Sequence, residues 1–154
     1  MRNILNRTFT AFAAIAMILT VSCSKVNPAD KSEALLEVNA SNLHGNWQLE
    51  SINGAALEGE TCFYINFNRS GEKFKIWENL TSIPSSYNYS EGKFALYTDP
   101  ALGVCIRGID SVKEEWSDLY VIKELTKNTM IWVGVNNPDF TQTFKRITKI
   151  PFAN

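Results

Sequence analysis

From Gly45 to the C terminus, apolar and polar residues alternate in short runs that are separated by turn residues at intervals of about eight to twelve positions. The run 61–67 places Phe63, Ile65 and Phe67 on one face, as in a half-buried strand. No apolar period of 3.6 residues persists in this region. The pattern therefore predicts an all-β domain.

Counting the strand-like segments sets a condition on the architecture. An up-and-down barrel whose first and last strands pair antiparallel needs an even number of strands, yet the pattern contains an odd number. One segment must therefore continue another or lie outside the barrel, and we assign 104–109 to that role. A hairpin turn is expected at Glu91-Gly92, between the fourth and fifth segments. The nine segments are 45–52, 61–67, 73–78, 87–90, 93–98, 104–109, 119–125, 129–135 and 140–148.

The first 22 residues differ from the rest and predict an export signal. Arg2 and Arg7 give a positive start, residues 9–21 are almost all apolar, and the small residue Ser22 precedes Cys23. The apolar run is too short to span a membrane comfortably as a helix. We expect residues 1–22 to be removed from the mature protein.

Residues 19–23 (LTVSC) resemble a bacterial lipobox, at which the signal is cut before a cysteine that then takes a diacylglycerol. Two or more acyl chains, such as palmitate, would hold the protein stably on a membrane. We therefore expect Cys23 to be lipidated and the protein to be exported to the bacterial cell envelope, at the outer membrane. An ordinary secretory signal with an incidental cysteine is the alternative.

Residues 23–42 are rich in polar side chains and are expected to tether the anchor to the domain that follows, 43–154. Within them, 32–38 has the composition for one or two helical turns that would close the bottom of a barrel. A frayed linker is the alternative.

Three residues carry a resemblance to a known family. Gly45 and Trp47 stand in the first strand, and Arg146 stands in the last, on the same face as Phe144. This pattern resembles lipocalins, in which the guanidinium packs over the indole at the closed end of an eight-stranded barrel, a contact of about 0.5–2 kcal/mol. With the lipobox and tether, residues 43–148 resemble the lipocalin-like (calycin-type) lipoproteins of Bacteroidetes. The resemblance implies an up-and-down antiparallel barrel of about eight strands.

Cys62 and Cys105 form an even pair once Cys23 is lipidated, and the exported location favours a disulfide. If they open the second and sixth strands, they lie at the same end of the barrel. A bridge would close a 44-residue loop, worth roughly 4 kcal/mol on the chain-entropy model. Merging two of the intervening segments would move the cysteines to opposite ends, and two unpaired thiols are the alternative.

Aromatic residues provide the candidate binding surfaces. Those on inward faces either fill the barrel or line a ligand pocket. Tyr64 and Trp77 fall on the outer face and Trp116 in a loop, where exposed rings would stack on a glycan or a partner protein. Packing beneath a loop is the alternative for these three. The candidate ligand-lining residues are Phe63, Phe67, Phe74, Trp132 and Phe144.

The sequence contains few residues that could form a metal site or a catalytic site. His44 is the only histidine, so a metal site built on imidazoles is not available, and we expect neither metal nor cofactor. No nucleophile has a histidine partner arranged around it, and no phosphate-binding glycine loop occurs. Glu114 and Glu115, beside Trp116, fit a solvated loop better than a carboxylate pair acting on a sugar. We expect no enzymatic activity.

Charge removes a further class of partner. Without Arg2 and Arg7, the mature chain has 13 basic and 16 acidic residues, a formal charge of −3. Such a chain is not basic enough to predict nucleic-acid binding. The sequence thus favours an envelope lipoprotein whose barrel binds a small, mostly apolar molecule at its mouth. The alternative is a structural or adaptor subunit that contacts a protein or glycan through exposed aromatic residues.

Overall fold

The computed structural model describes residues 33–59, 61–79, 88–109 and 119–151. The predicted signal peptide, Cys23, and the Glu114, Glu115 and Trp116 group lie outside these residues. Within these residues, one short helix, α1, precedes nine strands. Their bounds are α1 Ala40–Leu43, β1 Gly45–Ile52, β2 Ala55–Ala56, β3 Cys62–Asn68, β4 Lys73–Asn79, β5 Asn88–Asp99, β6 Gly103–Ile109, β7 Leu119–Leu125, β8 Thr129–Gly134 and β9 Thr141–Ile147.

The strands form a closed antiparallel barrel. Strands β1 and β3 to β9 pair in sequence order, and β1 also pairs with β9, so the sheet has no free edge among these eight strands. The two-residue β2 adds a short hairpin to the end of β1, where Asn53 and Gly54 take positive φ in the turn. The predicted all-β, up-and-down barrel of eight strands is confirmed.

Strand β5 resolves the odd count of segments, and it does so differently from the prediction. Glu91 and Gly92, predicted to form a turn, continue the ladder of β5 against Lys75 and Phe74 of β4. The fourth and fifth segments are therefore one twelve-residue strand. The segment 104–109, predicted to continue another segment or to lie outside the barrel, lies within β6 and pairs with β5 and β7. Both of these predictions were wrong.

Cys62 and Cys105 are free thiols, so the predicted disulfide was wrong. The continuous strand β5 explains why they do not meet. Cys62 pairs with Asn79 of β4. The neighbouring residue of β4, Glu78, pairs with Asn88 at the start of β5. Cys105 pairs with Tyr97, nine residues farther along β5, which is roughly 30 Å at 3.3 Å per residue. The two thiols thus lie toward opposite ends of the barrel, and burial raises the pKa of Cys62.

Inward-facing side chains fill the barrel as the alternation predicts. The core consists of large apolar residues, most of them less than 3% exposed, contributed by all eight barrel strands and by α1. Two strands interrupt the alternation with bulges, one between Leu49 and Ser51 in β1 and one between Ile122 and Glu124 in β7. The largest buried side chains are Trp47, Trp132, Phe67, Phe74, Phe94 and Phe144.

Residues 33–43, which we call the strap, close one end of the barrel. Leu36, Val38 and Ala40 pack against the core, and the Leu36 amide donates to the carbonyl of Leu125 (2.7 Å). The strap includes all of the described part of the predicted tether, residues 33–42. One or two helical turns were one expectation for residues 32–38. The described residues 33–38 are not helical, and the helix begins at Ala40.

The beginning of the strap is held by Glu33 on the β7–β8 turn. The Thr126 hydroxyl donates to Glu33 Oε2 (2.5 Å), and the Asn128 amide donates to the same oxygen (3.2 Å). These hydrogen bonds, that of Thr126 first, lower the pKa of Glu33. The frayed-linker alternative therefore does not describe residues 33–42.

Arg146 joins the strap to the barrel. Its guanidinium carbon lies 4.1 Å from the centroid of the Trp47 ring, the geometry that the lipocalin resemblance implies. Its Nη2 donates to the carbonyl of Asn42 (2.7 Å), Nη1 to that of His44 (2.5 Å) and Nε to that of Lys127 (2.7 Å). One side chain thus satisfies three backbone acceptors at the closed end.

We predict that Arg146→Ala lowers the free energy of unfolding by about 2–4 kcal/mol, because three carbonyls lose a charged donor and the indole loses its cation. Arg146→Lys keeps the charge but not the planar fork, and its loss should be intermediate. Urea denaturation measures both. Arg107→Ala, at an exposed position of β6, is the matched control, and an equal effect there would contradict the prediction.

Candidate functional site

The five predicted ligand-lining residues gather inside the barrel and pack on one another. The Trp132 and Phe144 rings are 4.8 Å apart, those of Phe67 and Trp132 are 6.2 Å apart, and those of Phe63 and Phe144 are 6.2 Å apart. Phe74 is 1% exposed in the same core. Of the two readings left open by the sequence, these contacts favour a filled core at this level of the barrel.

A cleft lies at the end of the barrel opposite the strap, which we call the open end. It has a volume of about 290 Å³, at the lower limit for small-molecule sites. It lies between the start of β7, the end of β8 and the β8–β9 loop. The lining residues are Leu119, Tyr120, Gly134, Asn136, Asn137 and Phe140, none of which is among the five predicted.

The β8–β9 loop is folded back on the barrel by its backbone. The Gly134 amide donates to the Phe140 carbonyl (3.0 Å), and the Phe140 amide donates to the Asn137 carbonyl (2.9 Å). A Cβ at Gly134 would come within 2.9 Å of that same Asn137 oxygen, so glycine permits this close approach. The fold therefore holds Phe140 in the lining of the cleft.

Two aromatic rings connect the cleft to the core. Tyr120 lies 6.4 Å from Phe140 on the cleft side and 5.2 Å from Trp132 on the core side, measured between ring centroids. Asn136 and Asn137 add polar groups at the rim. An apolar floor with a few amides at its edge can take an aromatic or aliphatic molecule with one or two polar atoms.

Tyr120 and Phe140 were missed from the sequence, although a signal for one of them was present. Tyr120 shares its face with Ile122, which is buried in the core, so alternation alone predicts that it points inward. Phe140 precedes β9 and is placed by the loop, whose path depends on hydrogen bonds that no periodicity reveals.

The outward-facing aromatic residues form a row across three strands. Tyr64 pairs with Trp77, and Trp77 pairs with Tyr89. Tyr64 is only 8% exposed and Trp77 is half-buried, whereas Tyr89 is 41% exposed. The Trp77 and Tyr89 rings are 5.4 Å apart and tilted by 56°, so they do not form one flat stacking surface.

His44 has a structural role. Its Nδ1 lies 2.9 Å from the Phe67 carbonyl, between the strap and β3. Within the described residues, no group of three or more His, Cys, Asp or Glu side chains is arranged to hold a metal ion. Within the same residues, no helix is long and apolar enough to cross a membrane.

Comparison with known proteins supplies one structural neighbour. The sequence matches no model of a protein family and no curated protein sequence. The fold is similar to the NMR structure of a protein from Bacteroides uniformis ATCC 8492, with a TM-score of 0.53 and 19% sequence identity over 73% of this chain and 94% of the neighbour. At this identity the likeness concerns the fold alone.

We predict that Tyr89 ionises late. Burial, and secondly the hydrogen bond and charge of Glu91, raise its pKa from 10.0 to about 12. Because the folded state favours the neutral phenol, this stabilisation is complete below pH 10 and is lost as the pH rises through 12. NMR titration of ¹³C-labelled tyrosine should show a Tyr89 midpoint near 12 that falls in Glu91→Gln but not in Glu50→Gln. A midpoint near 10 would show the prediction to be wrong.

Proposed function

We propose that this chain is a lipid-anchored protein of the bacterial cell envelope whose lipocalin-like barrel binds a small, mostly apolar molecule at its open end. The observation that carries the proposal is the cleft floored by Tyr120 and Phe140. Its aromatic floor favours an apolar ligand, and the amides of Asn136 and Asn137 provide polar contacts at the edge. The proposal needs no catalytic group.

The two ends of the barrel support this assignment. The strap and Arg146 occupy one end with backbone and side-chain contacts, whereas the cleft lies at the other. Among the described residues, the cleft therefore lies at the end of the barrel that the strap does not occupy. The lipobox-like residues 19–23 support an exported lipoprotein, and the Bacteroides structural neighbour supports the fold alone.

The binding test uses N-phenyl-1-naphthylamine, an uncharged probe that fluoresces in apolar sites. We expect saturable fluorescence with the wild-type chain and about fivefold weaker binding with Phe140→Ala, because one aromatic contact contributes roughly 1 kcal/mol. Tyr89→Ala, which removes an aromatic ring from the outer surface, is the matched control. No saturable binding, or equal losses in the two variants, would contradict the proposal.

The anchor is tested separately. In a bacterial host that processes lipoproteins, the full chain should incorporate labelled palmitate and enter the membrane fraction. Cys23→Ser should abolish both, because the thiol is the proposed acceptor of the lipid. Cys62→Ser is the matched control. Labelling that persists in Cys23→Ser would refute the anchor and leave the ligand proposal standing.

A second candidate function rests on the outer aromatic pair, Trp77 and Tyr89. Their partial exposure favours an adaptor that contacts a glycan or protein. Capture of envelope components by the wild-type chain but not by Trp77→Ala, together with no probe binding in the cleft, would favour this function over the first.

A further inference from the structure

One polar side chain on the inner wall of the barrel lacks a partner. Ser90 is 2% exposed, and its hydroxyl makes no hydrogen bond within the described residues. It pairs across the ladder with Ile76, and Phe94 follows four positions later in β5. Because Ile76 and Phe94 both belong to the core, Ser90 faces the interior of the barrel.

An unsatisfied hydroxyl is costly in such a place. Burying it forfeits its hydrogen bonds to water without replacing them, so alanine at this position would give a more stable protein. A buried polar group without a partner therefore calls for an occupant or a function. The interior of a ligand-binding barrel offers an occupant.

The surroundings of Ser90 indicate what such an occupant is. Gly92, opposite Phe74, and Gly108, opposite Phe94, lie on the same inner face and contribute no side chains to it. Glu78, two positions from Ile76 in β4, shares this face on the side of the open end. The apolar wall formed by Ile76, Phe74 and Phe94 favours an uncharged ligand over an ionised one, because an ion loses its hydration there.

We propose that Ser90 is the polar anchor of an internal subsite, which takes the hydroxyl group of an uncharged, mostly apolar molecule entering from the open end. This proposal rests on the proposed ligand-binding function and names the chemical class of the ligand. The Ser90 hydroxyl can donate to or accept from the ligand hydroxyl, so one matched pair of groups fixes the depth of the molecule in the barrel.

The test compares three probes of similar shape, 2-naphthol, 2-methylnaphthalene and 2-naphthoate, as competitors of N-phenyl-1-naphthylamine. The full chain carries Cys23→Ser throughout so that it is studied without lipid. We expect 2-naphthol to bind about 2- to 10-fold more tightly than 2-methylnaphthalene, the range of one net hydrogen bond, and 2-naphthoate to bind weakest. In Ser90→Ala the preference for naphthol over methylnaphthalene should disappear.

The melting temperature provides a second test, in which Ser90→Ala should gain stability although it loses the preference for naphthol. Ser90→Ala should raise the melting temperature by about 3 °C, because it removes an unsatisfied polar group. Ser90→Thr keeps the hydroxyl and should keep the preference for naphthol. Ser51→Ala, a partly exposed serine that pairs with Thr143, is the matched control and should change neither quantity.

Four results would overturn the inference. Equal binding of naphthol and methylnaphthalene by the wild-type chain, or an unchanged preference in Ser90→Ala, would refute the anchor while leaving ligand binding intact. A lower melting temperature in Ser90→Ala would show that the hydroxyl already has a stabilising partner. Absence of binding by N-phenyl-1-naphthylamine itself would refute the proposed function along with the subsite.

Discussion

The contact between Arg146 and Trp47 holds together the closed end of this barrel. It pairs the last strand with the first, at the rung where the two residues are opposite each other. The same guanidinium bonds to the strap and to the β7–β8 turn, and the Trp47 indole donates to the Leu43 carbonyl (2.9 Å). Glycine is favoured at position 45 because its φ is +128°, and a Cβ there would also lie 2.7 Å from Arg146 Nη1.

This arrangement gives the barrel two unlike ends. At the closed end, Glu33 and Arg146 satisfy backbone groups that a strand end would otherwise leave to water. At the other end, the β8–β9 loop folds back over Tyr120 and leaves a cleft. The core aromatic residues fill the space between. We therefore place the proposed ligand site near the open end, with Ser90 as its proposed internal contact.

The sequence predicted the fold class and the closing pair because both depend on alternation and on residues with unusual chemistry. It did not predict that β5 is continuous, since Glu91-Gly92 has the composition of a turn but meets Lys75 and Phe74 in an unbroken ladder. That long-range pairing also places Cys62 and Cys105 toward opposite ends of the barrel, so they do not form the predicted disulfide. The cleft was missed for a similar reason, because Phe140 is placed by loop hydrogen bonds and not by periodicity.

Strand closure is the claim on which both the strap and the cleft depend, and NMR in solution measures it most directly. Cross-relaxation between the Trp47 ring protons and the Arg146 side chain, with slow exchange of the Trp47 indole proton and of the β1 and β9 amides, is the result this account predicts. Absence of that cross-relaxation, together with fast exchange along β1 and β9, would mean that the sheet is open and would contradict it.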